Sequence, residues 1–181
     1  MSISMFRSRR LLPLVFAVAI SAPGGAAMFG QAMVGAAPAA EAVTYPYLGR
    51  FSFPVANGLV KQVYDWGCRG GTVPALVLRW NCAGSRNMYL LGHASSVFNP
   101  VLDAYRDGRL KAGKLAYWTR NGVTRTYKVA WVRLVPKSYV WNGQTGDEWA
   151  WNATARQAIT LQTCWGSTSA YRLIVRLYIV A

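Results

Sequence analysis

The side chains best suited to covalent chemistry lie near the end of the chain, where a cysteine precedes an arginine by eight residues. Residues 159–164 alternate as a β-strand does, which places Cys164 on the more polar face. A Gly-Ser-Thr-Ser turn follows, and the next β-prone run carries Arg172 and Arg176 on one face. A thiol and a guanidinium at neighbouring ends of two strands could act on one small substrate group. Arg176, four residues further along, is interpreted as an exposed charge on the strand surface.

His93 is the only histidine in the chain. If Cys164 is a nucleophile, an acid–base group must protonate the leaving amine and later deprotonate the incoming nucleophile. Imidazole suits this work because it ionises near neutral pH. A lone histidine after a strand is more often a structural side chain, but Gly92 and the downstream cysteine and arginine favour the catalytic interpretation.

These residues resemble the sortase family. Thr-Leu-Gln-Thr-Cys at 160–164 has the Thr-Leu-x-Thr-Cys form of the sortase signature, Leu-Leu-Gly-His at 90–93 is similar to the segment that holds the family's histidine, and Arg172 lies where sortases have their essential arginine. The resemblance covers residues 50–181. It implies a cysteine transpeptidase in which Cys164 forms a thioester, His93 transfers protons and Arg172 stabilises the oxyanion.

The resemblance also implies partners. The substrate would be the sorting-signal peptide of an exported protein, and the acceptor would be an amine of the cell wall or of a pilin, with no cofactor. Leu161 and Thr163 are similar to groove-lining positions. The connection at 137–156 would lie over the peptide, with Trp141, Trp149 and Trp151 as its apolar wall or, equally, as ordinary packing onto the barrel.

The remaining pattern predicts a mainly β fold. Short strands are expected at 50–54, 59–64, 75–79 and 87–92, a brief helix at 100–107, and a hairpin from 117–120 to 123–135 through Asn121-Gly122, which suits a type I′ turn. By resemblance, these elements would form a closed sortase-type β-barrel of about eight strands with one or two short helices, spanning residues 43–181.

The N-terminal residues 1–42 have the features of an export signal. Arg7, Arg9 and Arg10 precede an apolar run, and residues 11–40 contain no charged side chain. We expect a signal peptide or a membrane anchor, and therefore an extracytoplasmic domain that is held at the cell membrane or secreted. The net charge of +14 attracts anionic polymers, but nucleic acid is then not an expected partner.

Cys68 and Cys82 form a second group of thiols. In an exported chain they could form a disulfide around a loop of about 15 residues, or they could remain free, because geometry decides whether a bridge closes. They are not spaced as a Cys-x-x-Cys zinc pair, so no metal site is predicted. Asp65 is the only acid between Glu41 and His93, and calcium binding is therefore not expected either.

Two alternatives to a sortase follow from the same residues. An L,D-transpeptidase would also depend on a cysteine, but it should carry Ser-His-Gly-Cys, and Thr163 precedes Cys164 here. A non-catalytic, basic wall-binding β domain with a degenerate sortase fold would use the positive charge and need no thiol.

Overall fold

A computed structural model describes residues 44–137, 148–166 and 168–180, except for the side chains of residues 148 and 149. The described chain forms eight strands, one eight-residue helix and one single-turn helix. They are β1 Tyr47–Phe53, β2 Leu59–Gly67, β3 Val77–Trp80, β4 Asn87–Leu91, α1 Asn99–Arg106, β5 Leu115–Arg120, β6 Val123–Pro136, α2 Glu148–Trp151, β7 Ala158–Trp165 and β8 Tyr171–Ile179.

The strands close into a barrel in the order β1-β2-β3-β4-β7-β8-β6-β5, with β5 paired to β1. The β2–β3 and β4–β7 pairs are parallel, and the other pairs are antiparallel. The predicted mainly β fold with a closed eight-stranded barrel is confirmed.

The two ends of the barrel carry different turns and residues. At one end, β5 turns into β6 through Asn121 and Gly122, whose φ angles of 50° and 76° are those that a type I′ turn requires. We call this the hairpin end. At the other, β7 finishes at Trp165 and β8 begins at Tyr171. We call this the cysteine end, because Cys164 lies there.

Alternation along β7 and β8 separates two apolar clusters. Ile159, Leu161 and Val175 point into the barrel, where they join the main core with Phe51, Phe53 and Leu90. The intervening residues face outward, and a second cluster lies there around Tyr89, Ala150 and Ile174. This outward side of β4, β7 and β8 is called the outer face below.

Helix α1 supports the cysteine end. It carries proline in its first turn and buries Val101, Leu102 and Ala104. Tyr105 packs edge-on against Trp165 with ring centroids 5.1 Å apart, so the helix fixes the residue that follows Cys164. Among the described residues, no helix has the length and apolarity needed to span a membrane.

Candidate active site

Cys164 and Arg172 are direct partners across the antiparallel β7–β8 ladder. Opposite residues of such a ladder project to the same face, with Cβ atoms about 4.5–5.5 Å apart. The partly exposed thiol and the guanidinium therefore share the outer face.

Arg172 is only 7% exposed, so its orientation is fixed by its surroundings. Its Nη1 donates to the carbonyl oxygens of Ser169 and Tyr171, at 2.8 and 2.9 Å. Both bonds tie the side chain to the β7–β8 turn, and neither uses Nε or Nη2. Within the described part of the chain, Nε and Nη2 thus remain as donors for an oxygen that develops negative charge beside Cys164.

His93 follows the end of β4, the strand that lies beside β7 on the side opposite to β8. In the parallel β4–β7 pair Leu91 is opposite Gln162, and the amide of Gly92 donates to the carbonyl of Gln162 at 3.3 Å. His93 follows Leu91 by two residues, as Cys164 follows Gln162. His93 and Cys164 therefore lie at the same end of two adjacent segments of chain, and Arg172 lies opposite Cys164 on a third.

The ring of His93 is held by the loop between β2 and β3. Its Nε2 contacts the carbonyl oxygen of Val73 at hydrogen-bond distance. Because a carbonyl only accepts, Nε2 must carry the proton in this contact, which leaves Nδ1 as the nitrogen that can take up or release one. No sequence pattern points to Val73, because the interaction uses its backbone.

Gly92 is required by close packing next to His93. A Cβ atom at this position would lie 2.7 and 2.8 Å from two ring atoms of Phe98, which is fully buried in the core. Any side chain here would displace Phe98 and move the segment that carries His93.

On the outer face, a network of buried polar groups lies between Cys164 and the hairpin end. Arg176 and Asn87 each donate to the carbonyl of Ala150, both at 2.9 Å, and Thr160 donates to Asn87 at 2.7 Å. The hydroxyl of Tyr89 also bonds to the side chain of Gln162. The two bonds to Ala150 fasten α2 to the barrel, and the other two join β4 to β7. Sequence reasoning missed all four because their partners are distant in the chain.

Arg176 is the clearest correction to the sequence analysis. Its place in the pattern favoured an exposed charge on a strand, yet it is only 3% exposed. Its guanidinium lies 5.3 Å from the ring centroid of Trp131, and burial lowers its pKa from the ordinary arginine value. Its pairing with Thr160, rather than with Cys164, separates it from the candidate site.

The residues predicted to contact substrate do not all lie on the same face as Cys164. Leu161 and Thr163 are buried and lie on the barrel side of β7, opposite to Cys164. Trp151 packs edge-on against Trp80 at 6.0 Å within the outer cluster. Trp141 and the side chain of Trp149 lie outside the described residues.

Cys68 and Cys82 are placed as a disulfide pair, with Cα atoms 4.9 Å apart. The pair lies at the hairpin end, where Asp65 accepts bonds from the amide of Gly67 and the side chain of Asn81. It therefore stands far from Cys164, which is the free cysteine. Within the described residues, no three His, Cys, Asp or Glu side chains are grouped as metal ligands.

Comparison with known proteins identifies the family. A sequence profile of the sortase domain matches residues 51–180, which is more than half of the chain. The chain belongs to the sortase family. No curated protein sequence matches it.

Solved sortase structures share the fold of this sortase domain. Sortase A from Corynebacterium diphtheriae has a TM-score of 0.58 at 19% identity, over 77% of this chain and 63% of its own. Sortase C1 from Streptococcus suis gives 0.56 at 17%, covering 76% and 74%. Clostridium perfringens sortase C, solved with the C-terminal cell wall sorting motif, gives 0.55 at 17%, covering 77% and 73%.

Proposed function

We propose that this domain is a cysteine transpeptidase that cleaves the sorting signal of exported proteins and transfers them to an amine of the cell envelope. The observation that carries the proposal is the direct pairing of Cys164 with Arg172 across β7 and β8, with His93 following the end of the adjacent strand β4. Membership of the sortase family supports the same reaction class.

The reaction begins when the Cys164 thiolate attacks a backbone carbonyl of the bound peptide. The carbonyl oxygen becomes an oxyanion, to which Arg172 donates hydrogen bonds. As the C–N bond breaks, His93 gives a proton to the departing amine, and the acyl group remains on sulfur as a thioester. An amine acceptor then attacks the thioester and passes its proton to His93, which restores the thiolate.

The fold supports the proposed roles of Cys164 and Arg172. Cys164 lies one residue before the end of β7, where β8 holds its backbone on one side and β4 no longer pairs on the other, so its thiol is partly exposed. Arg172 is fixed by the carbonyls of its own turn, and a donor that is already oriented needs no reorganisation when the oxyanion forms. We further propose that the peptide lies on the outer face, beside Trp151.

The test uses the full chain with a library of fluorogenic sorting peptides, with and without amine acceptors. Leu-Pro-x-Thr-Gly-like and Leu-Ala-x-Thr-Gly-like peptides are the starting set. Cleavage that is blocked by a methanethiosulfonate reagent, together with a peptide–acceptor product and a thioester on Cys164 in mass spectrometry, supports the proposal. A folded protein that binds cell wall and cleaves no member of the library would identify the non-catalytic alternative.

A further inference from the structure

The hairpin end of the barrel opens into a cavity of about 550 Å³. Its walls are the β5–β6 hairpin, the turn between β3 and β4, and the beginning of β7. Ala158 lines it, and Cys164 is six residues further along β7, which corresponds to about 20 Å of extended strand. The cavity is therefore separate from the candidate active site.

Positive charge converges on this cavity. Arg79, Arg86, Arg120 and Arg125 line it, and its described lining includes no aspartate or glutamate. The two ion pairs between described side chains, Arg106–Asp103 and Arg109–Asp107, are formed elsewhere. Four guanidinium groups around one space repel each other unless an anion enters between them.

Two of the four arginines are held in place by neighbouring groups. Arg86 donates to the carbonyl of Ala155 at 2.6 Å, and Arg125 donates to the side chain of Gln157 at 2.8 Å. Such bonds orient the guanidinium groups before any ligand arrives. Planar guanidinium donors match the oxygens of a phosphate, and the mouth of a β-barrel is a common place for a ligand.

The rim of the same end carries exposed apolar side chains. Tyr47 is 59% exposed, Val123 61% and Val180 39%. Strand pairing brings them together: β1 runs beside β5 so that Tyr47 lies near the hairpin turn, and Val180 bonds to Thr126 of β6. An aromatic and two aliphatic side chains around a cationic opening are typical of a surface that meets the lipid interface.

The sequence that precedes β1 also points to a membrane lipid as the ligand of this cavity. Because β1 begins at the hairpin end, the segment that precedes it is joined to the domain there. Residues 11–40 of that segment carry no charge and follow three arginines, from which we expect a signal or membrane anchor. A chain that is anchored in a membrane would meet anionic phospholipid there.

We propose that the cavity at the hairpin end binds the phosphodiester headgroup of an anionic phospholipid. The choice of a phospholipid as the ligand rests on the expected membrane association of the N-terminal segment. It does not depend on transpeptidase activity. Bound headgroup would hold the hairpin end at the bilayer and leave Cys164 at the far end of the barrel, open to substrates.

The test is a titration of the full chain in nonionic maltoside micelles with short-chain phosphatidylglycerol. Two-dimensional NMR would follow the indole N–H signals of Trp80 and Trp118, which both line the cavity. Parallel titrations use short-chain phosphatidylcholine and inorganic phosphate. We expect saturable shifts with phosphatidylglycerol and none with phosphatidylcholine.

Matched variants separate a site from general attraction. Arg79→Gln with Arg120→Gln removes two charges from the cavity, whereas Arg69→Gln with Lys111→Gln removes two exposed charges outside it. The first pair should weaken binding by roughly tenfold or more, the loss expected for charged hydrogen bonds to phosphate, and the control by much less. If the first pair does not fold, Arg120→Gln alone, at the exposed hairpin, replaces it.

Equal weakening by the two pairs would overturn the proposal, because it would mean diffuse attraction to the basic surface. Saturable binding of inorganic phosphate without binding of phosphatidylglycerol would also overturn it, because the cavity would then take a free anion. Loss of lipid binding in the cavity pair alone, with transpeptidation unchanged in detergent, would support it.

Discussion

Cys164 on β7 and Arg172 on β8 lie directly opposite each other. Arg176, four residues after Arg172 on β8, lies opposite Thr160. The two arginines share the outer face but are separated by about 13 Å along β8. One is tied to the turn beside the thiol, and the other is tied to the carbonyl of Ala150. We therefore propose a catalytic role for Arg172 and a structural role for Arg176.

Arg172→Lys and Arg176→Lys should therefore have different effects. Lysine keeps the charge but loses the fork of donors, so Arg172→Lys should lower the rate of acylation by roughly a hundredfold, as for loss of one oxyanion donor. Arg176→Lys should leave acylation nearly unchanged and lower the free energy of unfolding by about 1–3 kcal/mol through the weakened bond to Ala150. Single-turnover acylation and denaturant unfolding measure the two effects. Equal losses of acylation would mean that the oxyanion donor is misassigned.

Cys164→Ala should abolish both cleavage and transfer while the barrel remains folded. The thiol is the proposed acyl acceptor, and alanine is close to cysteine in size. Cleavage rates and circular dichroism provide the measurement, with Cys164→Ser as a second variant. Residual turnover above about one part in a thousand in a folded variant would contradict the assigned nucleophile.

Reduction of the Cys68–Cys82 pair should destabilise the domain without blocking Cys164. A disulfide that closes a loop of this length stabilises by about 3 kcal/mol in the chain-entropy model, so the melting temperature should fall on reduction. The double variant Cys68→Ser, Cys82→Ser should show the same fall and no further response to reductant. If both thiols can be alkylated in the native protein, there is no bridge.

Thr163→Val tests whether Thr163 contacts substrate or only packs. Its Oγ1 is buried, and no hydrogen-bond partner for it exists within the described part of the chain. Replacing that hydroxyl by a methyl group should raise the free energy of unfolding by about 1 kcal/mol and leave acylation within twofold of the parent rate. A higher KM for sorting peptides, without a change in stability, would instead support the substrate contact that the family resemblance implies.

The sequence by itself determined most of the barrel. Alternation at 159–164 and in the run that carries Arg172 gave both the strands and the faces of Cys164 and Arg172, because side chains of a strand alternate with a period of two. Asn121-Gly122 located the hairpin, since few residue pairs adopt two successive positive φ angles. The Thr-Leu-x-Thr-Cys motif and the single histidine predict the candidate catalytic residues from the sequence alone.

Only the tertiary structure decided which side chains are buried and which distant segments meet. Arg176 looked like a surface charge because its burial depends on Trp131 and on the carbonyl of Ala150, neither of which is near it in the chain. The loop carbonyl of Val73 reaches His93 because β2 and β3 are parallel, and a parallel connection must return along the barrel. The four arginines at the hairpin end are scattered along the sequence, and closure of the barrel is what gathers them around one cavity.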